Sequence, residues 1–172
     1  MSGRRAHMGA SVTISAAAEE DAEQILKLQY LCFQSEAERY GDWGIEPLTQ
    51  SLESLRAELR SGHVLVARLG EEVVGSVRGA VDEGGIAHIG KLVVHPRMQR
   101  HGLGGRLLLA VENALRAEGR ARRFQLFTGH RSNVRLYRKY GYAPIGTEQV
   151  SERLSMVTLT KETVAGMRPA AV

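Results

Sequence analysis

Between residues 63 and 94 three apolar, β-branched runs follow one another, and a glycine-rich loop and a long amphipathic helix come directly after the third. No other feature of the chain narrows its fold as much. The runs are His63–Leu69 (HVLVARL), residues 73–81 (VVGSVRGAV) and Ile86–Val94 (IAHIGKLVV). Only Gly70-Glu71-Glu72 and Asp82-Glu83-Gly84-Gly85 separate them, spacers of hairpin character, so they predict a three-stranded antiparallel meander. Pro96 stops the third strand. Leu107, Leu108, Val111 and Leu115 then recur at helical spacing across Leu103–Glu118, and Gly119 closes that helix.

The flanking elements are read in the same way. Residues 11–16 alternate as a first strand. Residues 21–33 place Ile25, Leu28 and Cys32 on one helical stripe, with Glu19, Glu20 and Asp21 at the positive end of the dipole. Residues 34–47 read as a linker containing Gly41, Gly44 and Pro47. Thr49 is expected to cap a second helix that turns Leu52, Leu55 and Leu59 inward and ends at Gly62. Arg123–Thr128 reads as a strand, residues 133–140 as a short helix ended by Gly141, and residues 153–160 as a last strand. Strands and helices alternate only in the second half, which predicts a mixed α/β domain over residues 11–161 rather than a doubly wound sheet. Residues 1–10 are expected to be a disordered or vector-derived start, and residues 162–172 a flexible tail.

Composition removes several classes. At 172 residues, 43% apolar and 24% charged, the chain is neither a disordered nor a disulfide-built protein. Apolar runs reach only about five residues, against the ~18–20 that span a bilayer. A lone cysteine, Cys32, suits a reducing cytoplasm. The net charge of +4 is unevenly spread, since residues 91–142 carry twelve basic and two acidic side chains while residues 1–60 carry six and ten. Nucleic acid, an anionic membrane or a polyphosphate ligand would each answer such a basic block.

The loop after the third run favours the polyphosphate. Leu92, Val93 and Val94 end a strand, His95-Pro96-Arg97-Met98-Gln99-Arg100-His101-Gly102 follows, and a helix starts at Leu103-Gly104-Gly105-Arg106. Helix N-termini offer free N–H groups to phosphate oxygens, glycines permit close approach, and Arg97, Arg100 and Arg106 add charge. A P-loop is excluded because Gly105 is followed by Arg106 and Leu107 rather than Lys and Ser/Thr. A dinucleotide fingerprint is excluded because Leu107 stands where a third small residue is required.

Gln99-Arg100-His101-Gly102-Leu103-Gly104 resembles the Gln/Arg-x-x-Gly-x-Gly/Ala signature of the GNAT acetyltransferase superfamily. The strand end Leu92-Val93-Val94-His95-Pro96 resembles that family's cofactor strand. Asn133-Val134-Arg135-Leu136-Tyr137-Arg138-Lys139-Tyr140-Gly141-Tyr142 resembles its second signature. The resemblance spans residues 12–160. It implies a central, mostly antiparallel sheet of about seven strands, splayed between the fourth and fifth and flanked by about four helices. It implies the order strand, two helices, three strands, helix, strand, helix, two strands. It also implies acetyl-CoA as co-substrate, with Leu92, Val93 and Val94 on the pantetheine arm and Gln99, Arg100, His101, Gly102, Leu103, Gly104, Gly105 and Arg106 at the pyrophosphate. Asn133 and Tyr137 complete the cofactor set.

The resemblance places a general acid at Tyr137, one turn from Asn133. A phenol with a pKa of about 10 stays protonated at neutral pH and can donate to a departing thiolate. The alternative is a tyrosine whose ring packs on the sheet with its hydroxyl at the surface; Tyr140 and Tyr142 are expected in the core. Related enzymes often use a Glu on the fourth strand, sometimes through a water, and the equivalent-looking position here is His88, a departure from that pattern; the alternatives are a structural strand histidine and a water relay to a carboxylate elsewhere. The acidic segment containing Glu36, Tyr40, Asp42 and Trp43 is the expected acceptor surface, suited to a cationic small-molecule or peptide amine. The competing reading makes it a solvated helix end with Trp43 anchored in the core. No metal, nucleic acid or membrane is expected. An exposed sheet edge is compatible with a homodimer. The expected activity is N-acetyl transfer by direct attack in a ternary complex, against a catalytically silent acyl-CoA-binding or sensing module.

Overall fold

A computed structural model of the chain describes residues 12–129 and 131–163. The start predicted at residues 1–10 and nearly all of the tail lie outside them. Seven strands are present: β1 (Val12–Ala16), β2 (His63–Leu69), β3 (Glu72–Val81), β4 (Ile86–Val94), β5 (Arg123–Thr128), β6 (Ala143–Ser151) and β7 (Leu154–Glu162). The helices are α1 (Ala22–Tyr40), the one-turn α2 (Glu46–Thr49), α3 (Leu52–Ser61), α4 (Leu103–Glu118) and α5 (Arg131–Lys139). The strands hydrogen-bond in the order β1-β2-β3-β4-β5-β7-β6. β1 pairs antiparallel with β2, and β7 pairs antiparallel with both β5 and β6. β4 and β5 run parallel, and their register covers only Ile86–Arg123, Ala87–Phe124 and His88–Gln125, although β4 continues to Val94. The mixed α/β class and the seven strands agree with expectation, and so does the element order apart from the one-turn α2, a third helix between β1 and β2 where two were expected.

The chain divides into two compact units, one running to Arg78 and including Lys91–Val111, the other comprising Gly79–Gly90 and everything from Glu112. In the first unit Ile25 and Leu28 of α1, Leu55 of α3, Val64 and Val66 of β2, Val73 and Val93 form a dry cluster. Gly75 of β3 lets the sheet close on α4: a Cβ there would stand 2.9 Å from Leu107 Cδ1 and 3.3 Å from Val93 O. In the second unit Leu115, Phe124, Leu126, Tyr142 and Leu159 are buried.

Three local expectations are corrected. The first helix does not stop near residue 33 but continues to Tyr40, so most of the predicted linker is helical. Gln34, Glu36, Ala37, Glu38 and Arg39 are good helix formers, Ala37 is fully buried, and termination waits for Gly41 at φ 71°. The cap of α3 is Ser51, whose side chain accepts from Ser54 N at 3.0 Å, while Thr49 lies inside α2. Strand β6 was foreseen only through the family layout, because every one of its residues is exposed and none of the usual apolar alternation marks it.

Candidate functional site

In the first unit the site is built where β4 ends. Lys91 sits in this strand with φ 48°, a left-handed conformation that costs a non-glycine residue about 1 kcal/mol. After Val94 the chain makes a short 3-10 turn over Pro96–Met98, held by Met98 N to His95 O at 2.8 Å and by His95 Nδ1 accepting from Arg97 N at 3.2 Å. The loop then places Arg100 (φ 70°) and Gly102 (φ 76°) in the left-handed region. Alternating such residues with ordinary ones is how a loop turns successive N–H groups to one side. Leu103, Leu107, Leu108 and Val111 are buried, which fixes α4 in place. Arg100, His101, Gly102 and Arg106 remain exposed. Gln99 folds back, its Nε2 donating to Val94 O at 3.1 Å. Arg97 is tied to Glu72. The predicted loop residues therefore lie together, the Leu103 side chain being buried.

Helix α1 lays a row of titratable groups beside this strand. Cys32 Sγ donates to Val94 O at 3.4 Å, and burial pushes its thiol up to about 11, so it stays protonated at neutral pH. One turn on, burial also raises the Glu36 carboxyl. Another turn on, the Tyr40 hydroxyl is enclosed, and burial followed by the charge of Glu36 raises its pKa against the opposing effect of Arg39. Asp42 and Trp43 are exposed, Trp43 at 58%, so the core-anchor reading of Trp43 is wrong. The turn after Gly41 carries it outward, with Asp42 Oδ1 accepting from Gly44 N at 2.9 Å.

Sequence reasoning missed a polar group beneath α2. Arg78 of β3 is 8% exposed and donates to Gln50 Oε1 at 3.0 Å, to Glu58 Oε1 at 2.7 Å and to Gln29 Oε1. Gln29 also donates to Pro47 O at 2.8 Å. Burial lowers the Arg78 pKa, opposed by Glu58. Lys91 Nζ meets Glu46 of α2 at 2.7 Å. These pairs hold the acidic segment down. The available signal was an arginine and a lysine within strands of mostly apolar residues.

In the second unit Tyr137 lies on α5 and is buried, 7% exposed. Asn133 Nδ2 donates to Thr128 Oγ1 at 3.2 Å, joining α5 to the end of β5. Tyr142 is buried as expected, while Tyr140 is half-buried. His88 is exposed, and its Nε2 lies 2.9 Å from Asp82 Oδ2. That bond, with the Ile86 and Gly84 amides, holds Asp82 below the usual carboxylate range.

Residues 22–142 match the family model for the acetyltransferase (GNAT) family. The chain belongs to that family. No curated protein sequence matches it. Solved GNAT structures share its fold. YncA from Salmonella typhimurium, solved with its cofactor acetyl-CoA, is 17% identical with a TM-score of 0.73, covering 95% of this chain and 100% of that one. A GNAT-family acetyltransferase from Streptococcus pneumoniae is 21% identical, with a TM-score of 0.71 and coverage of 88% and 98%. PaiA N-acetyltransferase from Thermoplasma acidophilum, in complex with coenzyme A, is 18% identical, with a TM-score of 0.69 and coverage of 88% and 99%. Among the described residues no helix is long and apolar enough to cross a membrane, and no group of three or more His, Cys, Asp or Glu could hold a metal ion.

Proposed function

We propose that this GNAT protein transfers an acetyl group from acetyl-CoA to a primary amine of a small molecule or peptide, by direct attack in a ternary complex. The observation that carries the reading is the strand-end loop, with left-handed Arg100 and Gly102 leading into a firmly packed helix N-terminus amid exposed arginines. Leu92, Val93 and Val94 take the pantetheine arm through their backbone. Gln99, Arg100, His101, Gly102, Leu103, Gly104, Gly105 and Arg106 take the pyrophosphate, and Asn133 completes the cofactor set. The two relatives solved with coenzyme A and with acetyl-CoA support this choice of donor.

The acceptor arrives as an ammonium and must lose a proton before its nitrogen can attack. Glu36, Tyr40, Asp42 and Trp43, in a segment rich in carboxylates, receive it. His88, oriented by Asp82, takes the proton. The C–N bond then forms and the C–S bond breaks; the departing thiolate takes the Tyr137 hydroxyl proton, and the second proton shed by the acylated nitrogen passes through water to restore that hydroxyl. The protein acts in the cytoplasm, without a metal, nucleic-acid or membrane partner, and its exposed β6 edge leaves room for a homodimer.

Two measurements test the reading. Acetyl-CoA at 1 mM, about tenfold above a Kd of ~100 μM, raises the melting free energy by about 1.4 kcal/mol. Spermidine, a lysine-containing peptide, free amino acids and an aminoglycoside are then scanned for thiol release. Tyr137→Phe keeps the thermal shift and lowers turnover by about 10²-fold. A thermal shift without turnover of any amine leaves only an acyl-CoA-binding module.

A further inference from the structure

A fully buried carboxylate stands in the second unit, outside every role assigned above. Glu112 lies on the inner face of α4, between Leu108 and Leu115, and is 0% exposed. Burying an ionised carboxylate costs several kcal/mol unless charge and hydrogen bonds answer it. Here they do. Lys161 Nζ of β7 donates to both oxygens, at 2.9 and 3.1 Å, and the Tyr142 hydroxyl donates to Oε2 at 2.7 Å. Arg116, one turn along α4, lies at 3.7 Å.

The network leads to Tyr137. The rings of Tyr142 and Tyr137 meet with centroids 6.1 Å apart and planes inclined at 60°. Their backbones are joined as well, since the Tyr142 and Tyr140 amides each donate to Tyr137 O at 3.0 Å. Lys161 fits the same place from beneath. Its ammonium lies 5.4 Å from the centre of the Tyr142 ring, and a Cβ at Gly141 (φ 99°) would stand 3.4 Å from its Cε. Tyr142 is therefore held at its hydroxyl by Glu112, on its ring by Lys161, and at its amide by the turn that ends α5. A ring fixed in this way leaves its neighbour little freedom to tilt.

We infer that Glu112, Lys161 and Tyr142 form a positioning relay that fixes the orientation of the Tyr137 phenol for proton donation. The inference rests on the proposed role of Tyr137. None of the three touches the reactants; they act through the packing of Tyr142 on Tyr137. A general acid must be held within hydrogen-bond reach of the atom it protonates, and small displacements are costly in rate. A hydrophobic residue at position 112 would have filled the space at lower cost, but it would have left the Tyr142 hydroxyl without its anchor.

The test is a set of kinetic cycles on the full chain, using acetyl-CoA and whichever amine of the panel is turned over fastest. Tyr142→Phe removes one hydroxyl and keeps the ring, so it is the variant safest for folding; Glu112→Gln and Lys161→Met complete the set. In the wild-type background each lowers kcat about tenfold, with the KM for acetyl-CoA within twofold and the acetyl-CoA thermal shift retained. In the Tyr137→Phe background none lowers kcat further, because the group they position has lost its proton. Equal losses in both backgrounds, or an unchanged kcat for Tyr142→Phe, overturn the relay. Tyr137→Phe with wild-type turnover overturns the acid assignment, on which the relay depends, and is read separately. Absence of turnover with every amine removes both.

Discussion

Asp21 shows how one side chain can join three segments. It is 4% exposed, accepts from Ala18 N at 2.7 Å, and receives Arg68 of β2 in a two-point pair at 2.8 and 2.6 Å. The Arg68 guanidinium holds its carboxyl below the ordinary value of 3.8, against the opposing effect of burial. A depressed carboxylate contributes stability above its unfolded pKa and loses it as pH falls through the folded value. Asp21→Asn is therefore expected to lower stability by about 2 kcal/mol at pH 7 and to flatten the loss of stability below pH 4, as read by urea titration across pH. Cys32 gives a second residue-scale expectation. With its thiol raised to about 11, iodoacetamide at pH 8 should label it far more slowly in the folded chain than in urea. Sequence alone placed Cys32 correctly on the inner stripe of α1. It did not reveal the arrangements around Glu112 or Arg78, because their partners come from segments far along the chain: Glu112 meets Lys161, and Arg78 meets Gln29, Gln50 and Glu58. A charged residue on an apolar stripe was the legible trace of each, without its partner.

Among the elements, β4, its loop and α4 were readable because three signals coincide there: a β-branched run, a proline stop and a helical repeat of leucines. The loop conformation supports an element-scale prediction. Gly102 at φ 76° has open space around its missing Cβ, so Gly102→Ala meets backbone strain rather than a clash. That costs about 1–2 kcal/mol and is expected to weaken acetyl-CoA binding while leaving α4 packed, by calorimetry beside far-UV circular dichroism. Gly75→Ala acts by the other route. Its Cβ would press on Leu107 at 2.9 Å and on a backbone carbonyl at 3.3 Å, so the melting temperature falls even without ligand. Polar stretches were less legible. The second half of α1 buries little beyond Ala37, and β6 buries nothing, so neither carries a periodic apolar signal. Family layout supplied β6; for α1 the signals were the helix-forming residues after Phe33 and the stop at Gly41, which carry no apolar period. The loop and both signature segments were found from sequence. The side-chain frameworks that hold them were not.

At the scale of the whole molecule the charge is divided along the chain, with twelve basic and two acidic side chains in residues 91–142 against six and ten in residues 1–60. The basic stretch contains both GNAT signatures, and coenzyme A carries a pyrophosphate and a further phosphate. On the proposed placement of the donor phosphates beside Arg100 and Arg106, both exposed, the attraction is screened by salt; raising NaCl from 50 to 500 mM is expected to increase the Kd for acetyl-CoA several-fold. The most direct test of the acetyl-transfer reading is thiol release from acetyl-CoA by the full chain, with and without each amine of the panel. Amine-dependent release, abolished to about one part in a hundred by Tyr137→Phe with the acetyl-CoA thermal shift intact, is the expected result. The absence of amine-dependent thiol release with every amine of the panel would contradict it.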